Sequence, residues 1–375
     1  MSMRDGCGSP AGGAISRTQL MALLWAGVMA PAAELLPGLL LPGAGKGAWL
    51  AVLLAAPAAL AAGWILGRLS GRAGLAAAFA GLLGGAAGRC ATILYMVWGE
   101  LLLALRLRMC AQRLLSSGDR DGTLWFFLLS VAGVLLWMGR GTLPAFARAA
   151  QWFLVALLLT AGVVLVLSLP QAKVERLLPL WWTDGGAVLR AALSAGGVLG
   201  WGLFVAFLIP HTPEEGQKGS WYWPAWCIGG CLLLALTQAV ILGNLGSGVA
   251  GTLDNPFFAL AKSVGVEGAF QRVESVITAV WTLADLTMGG VLLFAVRAMA
   301  EEAAPKKILR WVPWLAVAAG VGLAWALFSS VGTAERWSRE VVPAGNLLLG
   351  LGVPAILLAW KIVRGRDRGR GTSCA

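Results

Sequence analysis

Two apolar stretches decide how this chain is read. Residues 19–42 run QLMALLWAGVMAPAAELLPGLLLP and residues 191–210 run AALSAGGVLGWGLFVAFLIP. Each is long enough to cross about 30 Å of hydrocarbon, which takes roughly 20 apolar residues. Each is also interrupted. The first holds Gly27, Pro31, Glu34 and Pro37, and the second Gly196, Gly197, Gly200 and Gly202. Proline removes an amide donor and clashes with the preceding turn, while glycine admits strained dihedrals. In lipid, backbone freed in this way survives only where it lines a cavity or is buried in protein.

The rest of the chain supports a membrane solvent. Of 375 residues 58% are hydrophobic and only 13% charged, about half the charged share of a soluble domain. Nineteen Trp and a mean hydropathy of +0.78 point the same way. The net charge of +11 comes from basic residues gathered between apolar runs, where cytoplasmic loops collect them, so nucleic acid is not the partner it suggests. Lys361, Arg364, Arg366, Arg368 and Arg370 follow the last run, and such a tail suits anionic lipid. Six Cys and one His make neither a metal-ligand set nor a disulfide framework. Cys227 and Cys231, four residues apart, read as small packing residues on one helix face.

Ten spans are expected, at about 18–37, 47–66, 88–107, 122–139, 145–169, 187–210, 222–244, 273–298, 309–329 and 341–362. This divides the chain into an N-terminal segment 1–17, a transmembrane domain 18–362 with halves 18–169 and 187–362, and a basic tail 363–375. No cleavable signal is expected, and span 1 acts as its own anchor. An even count places both termini on one side. Lys and Arg divide 17 against 12 in favour of cytoplasmic termini, with Arg106, Arg108, Arg113 and Arg120 opposing. The Ala/Gly-rich stretch 67–88 is an interfacial or re-entrant element, or an eleventh span; Arg68, Arg72 and Arg89 around it favour the first.

The interrupted spans are the first and sixth, corresponding positions if the chain is two halves of five. That pattern points to an inverted-repeat transporter fold with broken helices 1 and 6. Half-helix ends present free N–H groups to a carboxylate and free carbonyls to an ammonium or cation. Close helix packing is the competing explanation for the glycines. Spans 1, 3, 6 and 8 would surround the site. It is read as Gly27, Ala30 and Pro31 on span 1, Tyr95 and Trp98 on span 3, Gly196, Gly197, Gly200 and Trp201 on span 6, and Trp281 and Asp285 on span 8. Ionisable residues inside spans cost some 2.5–3.5 kcal/mol, so Glu34, Glu100 and Asp285 are functional candidates. Asp285, with no basic neighbour on its own helix, is the first choice for an ion or ammonium contact. Trp221, Tyr222, Trp223 and Trp226 form an interfacial belt at the start of span 7. No Walker loop, dinucleotide fingerprint or metal-ligand pair is present, and His211 has no nucleophile nearby, so no enzyme, cofactor or metal is expected.

An ordered set of motifs resembles the spore germination permease family, the GerAB-like subunits of nutrient germinant receptors within the amino acid–polyamine–organocation superfamily. The set comprises ISRTQL (15–20), Trp49 in GAWLAVLL, GGAAGR (84–89), GRGTLPAFARAAQWF (139–153) and LLPLW (177–181). NPFFALAKSVGVEGAFQRVESVITAVW (255–281), with Arg272, Glu274 and Trp281, is its most specific member. The resemblance implies a five-plus-five inverted repeat and a subunit that senses a small nutrient, often an amino acid, in the spore inner membrane. It implies as partners a membrane subunit with a soluble domain and a lipoprotein. Two departures stand out: span 6 lacks the family's frequent Glu, and Arg140 replaces an acidic residue after Gly139. A secondary transporter of amino acids or similar solutes, and a scaffold without ligand, are the competing readings.

Overall fold

The computed structural model describes residues 13–371 except 72, 118–122, 179–184, 213–221, 254, 264–272, 304 and 306. Ser16 opens α1 (Arg17–Ala44) with a capping box. Its hydroxyl accepts from the Gln19 amide at 3.1 Å, and the Gln19 side chain accepts from the Ser16 amide at 2.8 Å. This satisfies two of the donors a helix start leaves bare, and it is the physical content of the Ile-Ser-x-x-Gln motif. The buried Ile15 donates its amide to the His211 carbonyl, so the chain entry is tied to the end of span 6.

A short 3-10 turn at Gly45–Gly47 leads to α2 (Ala48–Ser70). The Ala/Gly-rich stretch forms α3 (Leu75–Leu83), nine residues long and bounded by Gly74 and Gly84 at positive φ. At 1.5 Å per residue it is too short to cross a bilayer, so it is no eleventh span. Then come α4 (Gly85–Ser117), α5 (Leu124–Gly139) and α6 (Leu143–Ser168). The second half starts with α7 (Gly185–Leu199), which passes at Gly200 into a 3-10 helix over Gly200–His211. It continues with α8 (Tyr222–Thr252), the eight-residue α9 (Pro256–Ser263), α10 (Val273–Ala303) and α11 (Val312–Ala326). The last span is α12 (Val331–Arg336), α13 (Val342–Leu347) and α14 (Val353–Gly371), joined through two π-helical turns at Trp337–Val341 and Leu348–Gly352.

Among the described residues, eight helical segments are long and apolar enough to cross a membrane. One of them, 31–70, includes the Gly45 turn and so holds parts of two spans, and the shorter apolar helix Leu124–Gly139 completes the layout of ten. Each half carries a short helix, α3 or α9, between its second and third spans, as a repeat demands. The halves interlock: α1 packs on α7, α8 and α10, and α2 packs on α7 and α8. Trp137, Trp152, Phe126 and Ile356 are well exposed on the outside, where lipid is their solvent.

The form of the two interruptions differs from expectation. Helix α1 is continuous through Pro31, Pro37 and Pro42 rather than unwound. Its three prolines still deny a partner to the carbonyls four residues earlier, on Gly27, Ala33 and Gly38. Span 6 breaks by changing its winding. Twelve residues of 3-10 helix are far longer than the usual three or four, a sign of a hinge or of strain.

Candidate functional site

Span 3 extends ten residues beyond its expected end, and that extension builds the polar core. Arg106 and Arg113 lie two turns apart on one face of α4, turned toward α1 and α10. Arg106 Nη2 donates to Asp285 Oδ1 at 2.8 Å and stands 3.6 Å from Glu34 Oε2. The guanidinium of Arg113 forks, donating through Nη1 to Asp285 Oδ2 and through Nη2 to Glu34 Oε2. Two cations thus meet two carboxylates in a quartet joining three helices, with no net charge. Its side chains are 1–12% exposed. Trp201, fully buried, stacks on the quartet with its ring centroid 5.3 Å from the Arg106 guanidinium carbon.

A second polar node lies on the other side of the span-6 junction. Asn346, in the last span, donates through Nδ2 to the Gly197 carbonyl at 3.1 Å, and its Oδ1 accepts from Trp98 Nε1 at 3.0 Å. Tyr95, three residues before Trp98, donates its hydroxyl to the Leu349 carbonyl at 2.6 Å, inside the second π-helical turn. A π-turn misaligns the i→i−4 ladder, and Tyr95 supplies a donor at that point. The glycines let these backbones close up. A Cβ on Gly197 would fall 2.3 Å from the Pro343 carbonyl oxygen, and one on Gly200 2.8 Å from Asn346 Cβ.

Between α1, α2, the junction, α8 and the last span lies a cavity of about 70 Å³. Its walls are mostly apolar, with Leu24, Trp25, Gly196, Gly200, Cys227 and Asn346 among them. One water needs about 10–15 Å³ on this measure, so the space suits roughly five to seven waters, the room of a small solute. The junction therefore has a charged side at Trp201 and an apolar side at Gly196 and Gly200.

The residues expected at the site sort as follows. Trp201 and Asp285 meet through Arg106. Tyr95, Trp98, Gly196, Gly197 and Gly200 gather around the last span. Gly27 lies against α10, where a Cβ would be 3.1 Å from Met288 Cε. Pro31 is one turn along α1, and the side chain of Ala30 lies outside the described residues. Trp281, one turn before Asp285 on α10, is stacked on Phe257 at a centroid distance of 4.8 Å with its edge contact to Phe258. Asp285, isolated on its own helix, is matched by cations from another. Arg106, Arg113 and Asn346 were not expected here. The seven-residue spacing of the two arginines, two helical turns, is their sequence signal; it is masked by Arg108 and Gln112 between them and lost once span 3 is ended at 107. Arg272 and the Glu274 side chain also lie outside the described residues. Arg140, the departure near span 5, stacks over Trp314 at 5.4 Å.

Comparison with known proteins agrees with this architecture. Among solved structures the chain is similar to MHP1, a nucleobase-cation-symport-1 family transporter in a closed conformation with bromovinylhydantoin bound. The TM-score is 0.52 at 14% identity, covering 90% of this chain and 76% of that one. At that identity the likeness speaks for the fold, a transporter-type helical bundle. No curated protein matches. A family model described as spore germination protein matches residues 14–327, from the capped entry of α1 to the end of span 9. With most of its length matched in this way, this multi-pass membrane protein belongs to the spore germination protein family.

Proposed function

We propose that the chain is the membrane subunit of a spore germinant receptor that binds a small zwitterionic nutrient, an amino acid, in the core between α1, α4, the α7 junction and α10. The observation that carries this reading is the charge-balanced quartet. A zwitterion can exchange into it without changing its net charge: the ligand carboxylate takes up Arg113 or Arg106, and the ligand ammonium takes up Asp285 or Glu34. The carboxylates of α1 and α10 thereby answer the family's missing span-6 Glu. Gly27, Ala30, Pro31, Trp201 and Asp285 would border the head group. Tyr95, Trp98, Gly196, Gly197, Gly200 and Trp281 would govern how the surrounding spans close.

Exchange of the quartet would release α1 and α10 from α4, and the 3-10 stretch of span 6 would take up the movement. A ligand shifts such an equilibrium only by binding one arrangement better than the other. Partner subunits, one with a soluble domain and one a lipoprotein, would receive that change in the spore inner membrane, with both termini cytoplasmic and the basic tail on anionic lipid.

The test is ligand binding in proteoliposomes across labelled amino acids, sugars and nucleosides, with bound and accumulated ligand scored together. Saturable amino-acid binding without accumulation supports the receptor. N-acetyl and amide derivatives of the bound amino acid should bind about 10- to 150-fold more weakly, since each loses one charged hydrogen-bonding group worth about 1.5–3 kcal/mol. Accumulation driven by an ion gradient would establish a secondary transporter on the same site instead.

A further inference from the structure

Helix α4 has a second stripe, offset from the arginines. Glu100, Leu103 and Leu107, at i, i+3 and i+7, share the face turned to α11. All three lie around Gly320, where a Cβ would be 3.3 Å from Glu100 Oε1, 3.6 Å from Leu103 Cδ2 and 3.1 Å from Leu107 Cδ1. Glu100 Oε1 is buried there with no hydrogen-bond partner among the described residues.

Among the described residues no cation pairs with Glu100. On its own helix Arg106 is held by the quartet, and Arg108 donates to the Phe328 carbonyl and to Gln112 Oε1, both at 2.8 Å. Arg89, three turns back, donates to Gly85. Helices α3, α5 and α11 contain no charged residue. On α10, Asp285 belongs to the quartet and Arg297 pairs with Glu301 at the far end, beside Glu302. Glu335 and Arg336 lie on α12, which meets α4 near Arg108. A metal cation would draw about six oxygens around itself, and the neighbours that Glu100 shares at Gly320 are Leu103 and Leu107. A proton needs one oxygen.

We infer that Glu100 is a proton-binding site, carrying its proton while α4 and α11 are closed at Gly320 and exchanging it with water when they part. The proton comes from water and returns to water, and no other bond changes. An intramembrane carboxyl of this kind is the usual component of a proton relay. The site is separate from the quartet and does not depend on the ligand reading above.

Infrared difference spectroscopy of the full-length protein in liposomes, in H₂O against D₂O, tests this directly. The wild type should show the carbonyl band of a protonated carboxylic acid, shifted in D₂O. Glu100→Gln should lose that band while melting at the same temperature as the wild type. Glu100→Asp should retain a band at a displaced frequency. A wild-type spectrum without the band, or the same band in Glu100→Gln, would overturn the proposal. So would a Glu100 carboxylate signal that shifts with Na⁺ rather than with D₂O.

Discussion

Asp285 meets two guanidiniums at once, and Arg113 holds two carboxylates at once. Each member of the quartet is therefore indispensable to the others' solvation. Removing one partner of a buried pair leaves an uncompensated charge, at a cost of about 3–5 kcal/mol. Asp285→Asn should accordingly lower the melting temperature in detergent steeply. The double variant Asp285→Asn with Arg106→Gln restores the charge balance and should recover a good part of that loss. Equal, additive losses in the double variant would show that the four side chains do not act as a unit. Asn346 is a neutral counterpart. Asn346→Ala strands the part-buried Trp98 indole N–H and removes one donor from the Gly197 carbonyl, and should cost about 1–3 kcal/mol in the same melts.

At the scale of the element, two adjacent glycines separate packing from mere permissiveness. Gly197 lies against the Pro343 backbone, whereas the nearest atom to a Cβ on Gly196 is Leu347 Cδ2 at 3.6 Å. Gly197→Ala should force α7 away from the last span and destabilise the protein by more than 1 kcal/mol. Gly196→Ala should be nearly silent, and could even stabilise a helical position where Gly is poor. A melting comparison of the two decides it. A substitution at Gly197 that abolishes a nutrient response is thus explained by this contact before any ligand contact is invoked. Span 1 makes the complementary point. Its prolines announce freed carbonyls, yet the helix runs on, because neighbours α6, α7, α8 and α10 enclose it on several sides.

For the whole molecule, the burial of three arginines changes the reading of orientation. Sequence position assigns Arg106, Arg108 and Arg113 to a loop on the non-cytoplasmic side, but they are buried within α4. With those three set aside the division becomes 17 against 9, a stronger bias toward cytoplasmic termini. With Cys374 as the single cysteine, a membrane-impermeant maleimide should label inside-out vesicles and spare right-side-out ones. The reverse pattern would invert the topology.

What the sequence determined by itself was the solvent, the number and order of the spans, and the place of the irregular winding in span 6. Composition and hydropathy are local properties, and lipid imposes helix on any long apolar run. The motif ISRTQL was legible for the same reason, since a capping box closes within four residues. Glu34, Glu100 and Asp285 stood out because charge in an apolar run is conspicuous on its own. Tertiary structure alone decided their partners. Asp285 and Arg106 are 179 residues apart, and Trp98 and Asn346 are 248 apart; neither a helical period nor a spacing rule relates such positions. Whether a glycine opens a binding site or seats a neighbouring helix was likewise undecided until the last span came to rest against Gly197. That outcome depends on which backbone arrives at the empty Cβ position, and only the packed bundle brings it there.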